Sequence, residues 1–322
     1  VAAKYGKSEA KAVAREKLRG LIPGPVLPID ADGEMDETAY RHNIRHCLDV
    51  VGSEALYINS YYQNYWLLSS AQRRRVLEVA MDEIAGAVPV INRCAHHSPK
   101  EAIELAQHAQ DLDVDFISLV LPPFGANKDI LFGYFQMIAR ELELGITIFN
   151  TSQAGYSISP EWMAELAEIP NICALKNGLD LEHTGRIREL VGDSIVVVDP
   201  NEENFLENIR NGQQAIFSGT QLMFDSARAQ PLRAYMEAAF AGDLDKAQTM
   251  FDDLQPVRDL HHRWVLGPWR SDARVCPVGT VKFWCEQLGM IGGPVPEPLP
   301  DLSEAQKKEL RSELVAVGLV EA

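Results

Sequence analysis

The chain has few of the residues that several common protein classes require. Its 322 residues hold five cysteines, Cys47, Cys94, Cys173, Cys276 and Cys285, odd in number and with no C-x-x-C pair. Such spacing argues against a disulfide frame or a zinc knuckle and points to a reducing compartment. Basic residues are outnumbered, 30 Lys and Arg against 46 Asp and Glu, for a net charge of −16. The clustered cations of a nucleic-acid footprint are therefore missing, and an anionic membrane surface is disfavoured on the same ground. A small anionic substrate is still admissible, because a buried site makes its own local field. No apolar run is long enough to span a bilayer. The opening "VAAKYGKSEAKAVAREKLRG" has no apolar signal core and reads as a charged helical extension. No internal repeat or low-complexity tract stands out. A cytoplasmic enzyme is the expectation.

What is present is an alternation. Short apolar runs that end in Gly, Pro, Asn or Asp are each followed by an amphipathic helical pattern. The strand candidates are "LIPGPVLPI", "EALYIN", "VPVIN", "DFISLVL", "GITIFN", "NICALK", "SIVVVD" and "QAIFSG". Most lack strict polar alternation, as parallel strands buried on both faces do. "SPKEAIELA" offers Ser98 as an N-cap, Pro99 at the first helical position and Glu101 for a capping box, and "SPEWMAELA" repeats the device with Ser159 and Pro160. "LSSAQRRRVLEVA" offers Ser69 or Ser70, and Ser303 with Gln306 opens the last helix. Repeated β-then-α units predict an α/β fold, a (β/α)8 TIM barrel with a C-terminal helical bundle. The open doubly wound alternative would carry a G-x-G-x-x-G turn, which is missing. The expected organisation is a helical extension over 1–19, the barrel over 20–224 and a helical region over 225–322.

In such a barrel the chemistry lies at the C-terminal ends of the strands. Lys176 closes "ICALK", where alternation puts Ile172, Ala174 and Lys176 on one face and Cys173 and Leu175 on the other. An amine on an apolar face has its charged form penalised, so a neutral, nucleophilic amine is accessible near neutrality. Such an amine condenses with a ketone to a Schiff base, an electron sink for breaking or making the adjacent C–C bond. The structural alternative is a lysine that snorkels out of a strand end.

These stretches together resemble the dihydrodipicolinate synthase / N-acetylneuraminate lyase superfamily of class I aldolases and lyases. "NICALKNG" is similar to its Asn-Ile-x-x-x-Lys strand, and "LRGLIPGPVLPIDADGEMDETAY" resembles its opening strand and first helix. "DVDFISLVLPPF", "GITIFN" and "AIFSG" resemble its fourth, fifth and eighth strands. The resemblance runs from about residue 18 to about residue 320, and only the lysine strand is strongly specific. It implies that Lys176 is the Schiff-base residue, that the substrate is a small carbonyl compound, and that the chain is a homo-oligomer, dimer or tetramer. No cofactor and no metal are expected.

The sequence also departs from that pattern. Where the family has Gly-Thr-Thr-Gly-Glu to hold a carboxylate, this chain has "SYYQN", with Ser60 and Asn64 at its ends and Tyr61 and Tyr62 at the threonine positions. The proton-handling tyrosine of strand five is Phe149, the aromatic after strand four is Phe124, and "FNTSQAG" lacks the usual arginine. "NRCAHHS" brings Arg93, His96 and His97 towards the mouth. The candidates are thus Lys176, Tyr61 and Tyr62 for catalysis. Ser60, Asn64, Phe124, Phe149, Asn150, Phe217 and Arg93 are the candidates for substrate binding. Two adjacent histidines without a carboxylate make a poor metal site and fit better as loop residues before the Ser98 cap. Tyr156 and the two histidines are weaker proton carriers, and Lys282 is the rival amine. Rings with polar tips suit a bulky or aromatic 2-oxo acid. The expected activity is that of an aldolase or hydratase-aldolase. A dehydratase or decarboxylase using the same lysine is the first alternative, and a non-catalytic ligand-binding barrel the second.

Overall fold

A computed structural model describes residues 4–30, 32–123, 127–151, 154–271 and 277–321. Cys276 and Phe124 lie outside the described residues. The chain forms two compact units: Val1–Ile22, Glu54–Ser60 and Leu68–Ser218 make the first, and Pro23–Ser53, Tyr61–Leu67 and Gly219–Ala322 the second. The second unit thus gathers two early segments, 23–53 and 61–67, that the strand–helix alternation assigns to the barrel.

Among the described residues the first unit holds eight strands, one at each of the apolar runs. They are β1 Gly20–Leu21, β2 Leu56–Ile58, β3 Val90–Arg93, β4 Phe116–Val120, β5 Gly145–Asn150, β6 Ile172–Asn177, β7 Val196–Val198 and β8 Ala215–Ile216. β2 to β7 form one parallel sheet in chain order, and β1 pairs with β8 in a parallel pair. Helices connect consecutive strands of the sheet, as parallel neighbours require. Every residue of β2, β3, β4, β5 and β7 is buried, which accounts for their mainly apolar sequences without strict polar alternation.

Helix starts follow the local signals. Ser69 and Gln72 form a reciprocal capping box on Ser70–Ile84, and Ser159 accepts from the Trp162 amide ahead of Pro160–Leu166. Ser98 caps Pro99–Asp111 as expected, but Glu101 does not close a box. Its carboxylate accepts instead from Ser70 Oγ at 2.9 Å, a partner 31 residues away. The N-terminal segment packs into this unit. Tyr5 Oη donates to the Asp115 carbonyl and accepts from the Gly145 amide at 3.0 Å, while Lys17 pairs with Asp115 at 2.6 Å.

β6 is held at both ends. Below it, the Asn171 side-chain amide donates to the carbonyls of Ala139, Leu142 and Leu144. Above it, Asn177 Oδ1 accepts from Asn150 Nδ2 at 3.0 Å and Asn177 Nδ2 donates to Thr184 Oγ1 at 2.8 Å. These clamps fix the register that sets Lys176 beside Phe149 on β5 and Val198 on β7.

The second unit is helical, with Pro231–Phe240, Leu244–Asp253, Val278–Gln287 and Glu304–Ala316 its longest helices from the C-terminal part of the chain. Ser303 and Gln306 form the expected capping box. Asn43, fully buried, ties three backbone groups: its Nδ2 donates to the carbonyls of Val26 and Ile291, and its Oδ1 accepts from the Ile291 amide. No described helix is long and apolar enough to cross a membrane.

A Cβ at Gly145, where β5 begins, would lie 2.7 Å from Cys173 Sγ and 2.9 Å from Phe116 Cδ1. Gly145→Ala should therefore lower the unfolding free energy by about 1–3 kcal/mol in urea titrations, without a change in denaturant slope. An unchanged midpoint would contradict this packing at the base of the sheet.

Candidate active site

Paired residues of a parallel sheet share a face, so the register collects one set of side chains. Tyr57, Arg93, Ser118, Phe149 and Lys176 all fall on it. Phe217, directly after β8, joins them: its ring stands edge-on to Tyr57 at 4.7 Å and to Phe149 at 5.3 Å. Lys176 Nζ lies 4.9 Å from the ring centres of both Phe149 and Phe217. Lys176 is the one residue of β6 that is not fully buried. The residue keeps some open surface, while its amine is deep enough among protein atoms to be desolvated. Among the described residues no ion pair holds it.

Burial is the main force on this amine. It draws the pKa from 10.5 down to about 7, helped by the Arg93 cation and opposed by Asp199. Asp199 does not reach Lys176 as a salt-bridge partner, because its carboxylate is committed elsewhere. It accepts from the Asn201 backbone and side-chain amides, each at 2.8 Å, from Asn204 at 2.9 Å and from Asn208 at 3.0 Å. Half the Lys176 amines are thus neutral near pH 7, with two ring faces to steady the charged half.

Arg93 is buried, 1% exposed, and its Nε donates to Tyr57 Oη at 2.6 Å. Its guanidinium carbon lies 5.1 Å from the centre of the Phe149 ring. The Tyr57 hydroxyl also bonds Ser118 Oγ at 2.8 Å. Arg73 holds the strand behind this group by donating to the carbonyls of Arg93 and Ala95. Lys176, Phe149, Phe217 and Arg93 are therefore brought together.

The other candidates are placed differently. Asn150 falls on the opposite face of β5, and its amide is spent on Ile158 and Asn177. There it acts as a strand clamp. Ser60 is buried at the end of the β2 segment. Tyr61, Tyr62 and Asn64 belong to the second unit. There Tyr61 stacks on Trp66 at 4.2 Å and meets Trp269 at 4.8 Å, while a Cβ on Gly219 would lie 2.5 Å from the Tyr62 ring. Asn64 is buried, and among the described residues neither its amide nitrogen nor its oxygen has a partner. His96 Nδ1 accepts from the Ser98 amide, a loop role before the cap, and Tyr156 donates to the Pro122 carbonyl. The rival amine of Lys282 donates to the Pro294 carbonyl at 2.6 Å. Among the described residues no cluster of three metal-binding side chains occurs.

The family model for the dihydrodipicolinate synthetase family matches residues 17–317. The chain belongs to that family. It is accordingly an enzyme of the class I aldolase type, among lyases acting on C–C bonds. A 4-hydroxy-tetrahydrodipicolinate synthase of Methanopyrus kandleri is 28% identical over 94% of this chain and 98% of its own. An N-acetylneuraminate lyase of Clostridium perfringens is 27% identical over 91% and 98%. The crystal structure of YagE, a prophage protein of the dihydrodipicolinic acid synthase family from E. coli K12 in complex with pyruvate, superposes with a TM-score of 0.82. That likeness holds at 21% identity over 94% of this chain and 99% of that one. It carries the fold.

Within this dihydrodipicolinate synthetase family member, Tyr57 stands among the strand-end residues but not among the candidates drawn from the sequence. A ring with a polar tip at the inward position of "LYI" is the signal it leaves in the sequence.

The lowered pKa has a sign for stability. Between pH 7 and 10.5 the unfolded chain binds a proton at Lys176 that the folded chain does not, so the contribution of Lys176 to stability rises with pH across that window. Lys176→Met removes this slope and should raise the unfolding free energy by about 1–3 kcal/mol near neutral pH. Urea unfolding of both proteins at neutral and alkaline pH checks it. Equal stabilities and equal slopes would contradict a desolvated amine.

Proposed function

We propose that this family member is a Schiff-base-forming lyase acting on a 2-oxo acid, an aldolase or hydratase-aldolase for a bulky or aromatic substrate. The observation that carries the reading is the amine of Lys176, drawn to a pKa of about 7 and packed against two phenyl rings. Its neutral form attacks the ketone carbon, and water leaves to give a protonated imine. The imine then accepts the electron pair of the breaking C–C bond, an aldehyde departs, and hydrolysis returns pyruvate and the free amine. Arg93, the buried cation of the same cluster, fits as the partner of the 2-oxo acid carboxylate. Phe149 and Phe217 supply apolar walls.

The preference for a bulky substrate rests on composition at two places. The two small threonine hydroxyls of the family are replaced by Tyr61 and Tyr62, and the strand-five tyrosine by Phe149. From the resemblance alone, Tyr61 and Tyr62 stand as candidates for catalysis, and Ser60 and Asn64 as candidates for substrate contact. The fold that goes with this reading is a closed (β/α)8 barrel followed by a helical bundle. Closure is supported by the β1–β8 pair and by the bonds that the Glu54 and Ala55 amides make to the Leu21 carbonyl. Reciprocal Gln213–Asp199 bonds support it at the other seam. A cytoplasmic homo-oligomer completes the proposal, by resemblance to the family.

The direct test is incubation with pyruvate, or with an aryl-substituted 2-oxo acid, followed by borohydride and peptide mapping by mass spectrometry. The expected result is one reduced adduct, on Lys176. Adduct on Lys282, or none, would overturn the proposal.

A further inference from the structure

We propose that Tyr57 is the proton-transfer residue of this site, its phenol taking over from strand two the role that the phenyl ring of Phe149 cannot fill. The inference rests on the Schiff-base reading above and goes beyond it by naming the group that moves the protons.

Proton handling needs a hydroxyl inside the cluster that contains the amine, and position decides which tyrosine qualifies. The first unit contains Tyr5, Tyr57, Tyr134 and Tyr156. Tyr5 donates to the Asp115 carbonyl, Tyr134 to the His96 carbonyl and Tyr156 to the Pro122 carbonyl. Tyr57 meets the two rings packed against Lys176, with centroids 5.3 Å from Phe149 and 4.7 Å from Phe217. Its oxygen also has the partners that proton exchange needs. Arg93 Nε, at 2.6 Å, is a fixed cation that stabilises the phenolate when the proton leaves. Ser118 Oγ, at 2.8 Å, is a hydroxyl that can both give and take a hydrogen bond, so it can re-orient as the charge on Tyr57 changes. A buried phenol needs a partner in any role; what favours proton transfer here is that one of its two partners is a cation.

The steps balance with this one group. Lys176 adds to the ketone to form a carbinolamine. The Tyr57 phenol gives its proton to the carbinolamine hydroxyl, which leaves as water. The protonated imine and a Tyr57 phenolate paired with Arg93 remain. The phenolate then takes the proton of the substrate hydroxyl as the C–C bond breaks, releasing the aldehyde and leaving an enamine with its electron pair on carbon. The re-formed phenol protonates that carbon, and water hydrolyses the imine to pyruvate and the free amine, returning a proton to Tyr57.

Pyruvate alone separates the two claims, because imine formation and proton exchange at its methyl carbon are read independently. The probes are borohydride trapping at Lys176 and deuterium uptake by pyruvate in heavy water, followed by NMR. Wild type should do both. Tyr57→Phe should still give the Lys176 adduct after long incubation, which also shows that the site is folded, while deuterium uptake falls by about 100-fold or more. Adding Phe149→Tyr to Tyr57→Phe should recover part of the uptake, as a lost proton carrier would and a distorted pocket would not. Ser118→Ala keeps the phenol and should slow uptake by about tenfold; it serves as the test if Tyr57→Phe does not fold. Uptake at the wild-type rate in Tyr57→Phe, or in Ser118→Ala where that is the variant available, overturns the role of Tyr57 and leaves the Schiff base standing. Absence of the adduct in wild type removes the Schiff base and the Tyr57 proposal with it.

Discussion

An ammonium group taken out of water without a counter-ion is unstable, and the chain resolves this at Lys176 by letting the proton go. Phe149 and Phe217 exclude solvent from its flanks, Arg93 adds a like charge, and Asp199 is too fully hydrogen-bonded to act as a close partner. A lysine in this setting is a poor structural residue and a good nucleophile. The local cost is of the kind that functional sites carry and the rest of the fold offsets.

Much of the first unit serves to hold that arrangement. Asn171 ties the start of β6 to three carbonyls, and Asn150 and Asn177 lock its end against β5 and the following helix. Behind β3, the buried Arg73 gathers the carbonyls of Arg93 and Ala95, and Asn59 bridges Arg73 to Asn92. These polar groups form hydrogen bonds between elements in a buried layer, and such bonds give a strand one register rather than several. A slip of one residue on β6 would turn Lys176 away from the two rings and place Leu175 there. The chemistry thus depends on amides that never touch the reacting atoms.

Features set by near neighbours in the chain were legible in the sequence. The caps at Ser98, Ser159 and Ser303 are local, and each forms. The eight apolar runs became eight strands, and alternation alone put Lys176 on the face it occupies. What depended on distant pairing was not legible. Glu101 has the spacing of a capping box, yet Ser70 competes for it from another helix. Asn150 sits at a strand end like a ligand contact, and nothing local shows that Ile158 and Asn177 consume its amide. Tyr57, Arg93 and Ser118 lie on three strands, with separations of 36 and 61 residues, so their bonded group emerges only once the strand register is known. The grouping of segments 23–53 and 61–67 with the C-terminal helices is likewise a matter of packing.

The central claim is that burial brings the Lys176 amine to its titration midpoint near neutral pH in the folded protein. Heteronuclear NMR of lysine side-chain ε-carbons in isotopically labelled protein, with Lys176→Arg used to assign the resonance, follows its titration directly. The account predicts a midpoint near pH 7, well separated from the exposed lysines. A midpoint above about 10, with the ordinary lysines, would contradict it.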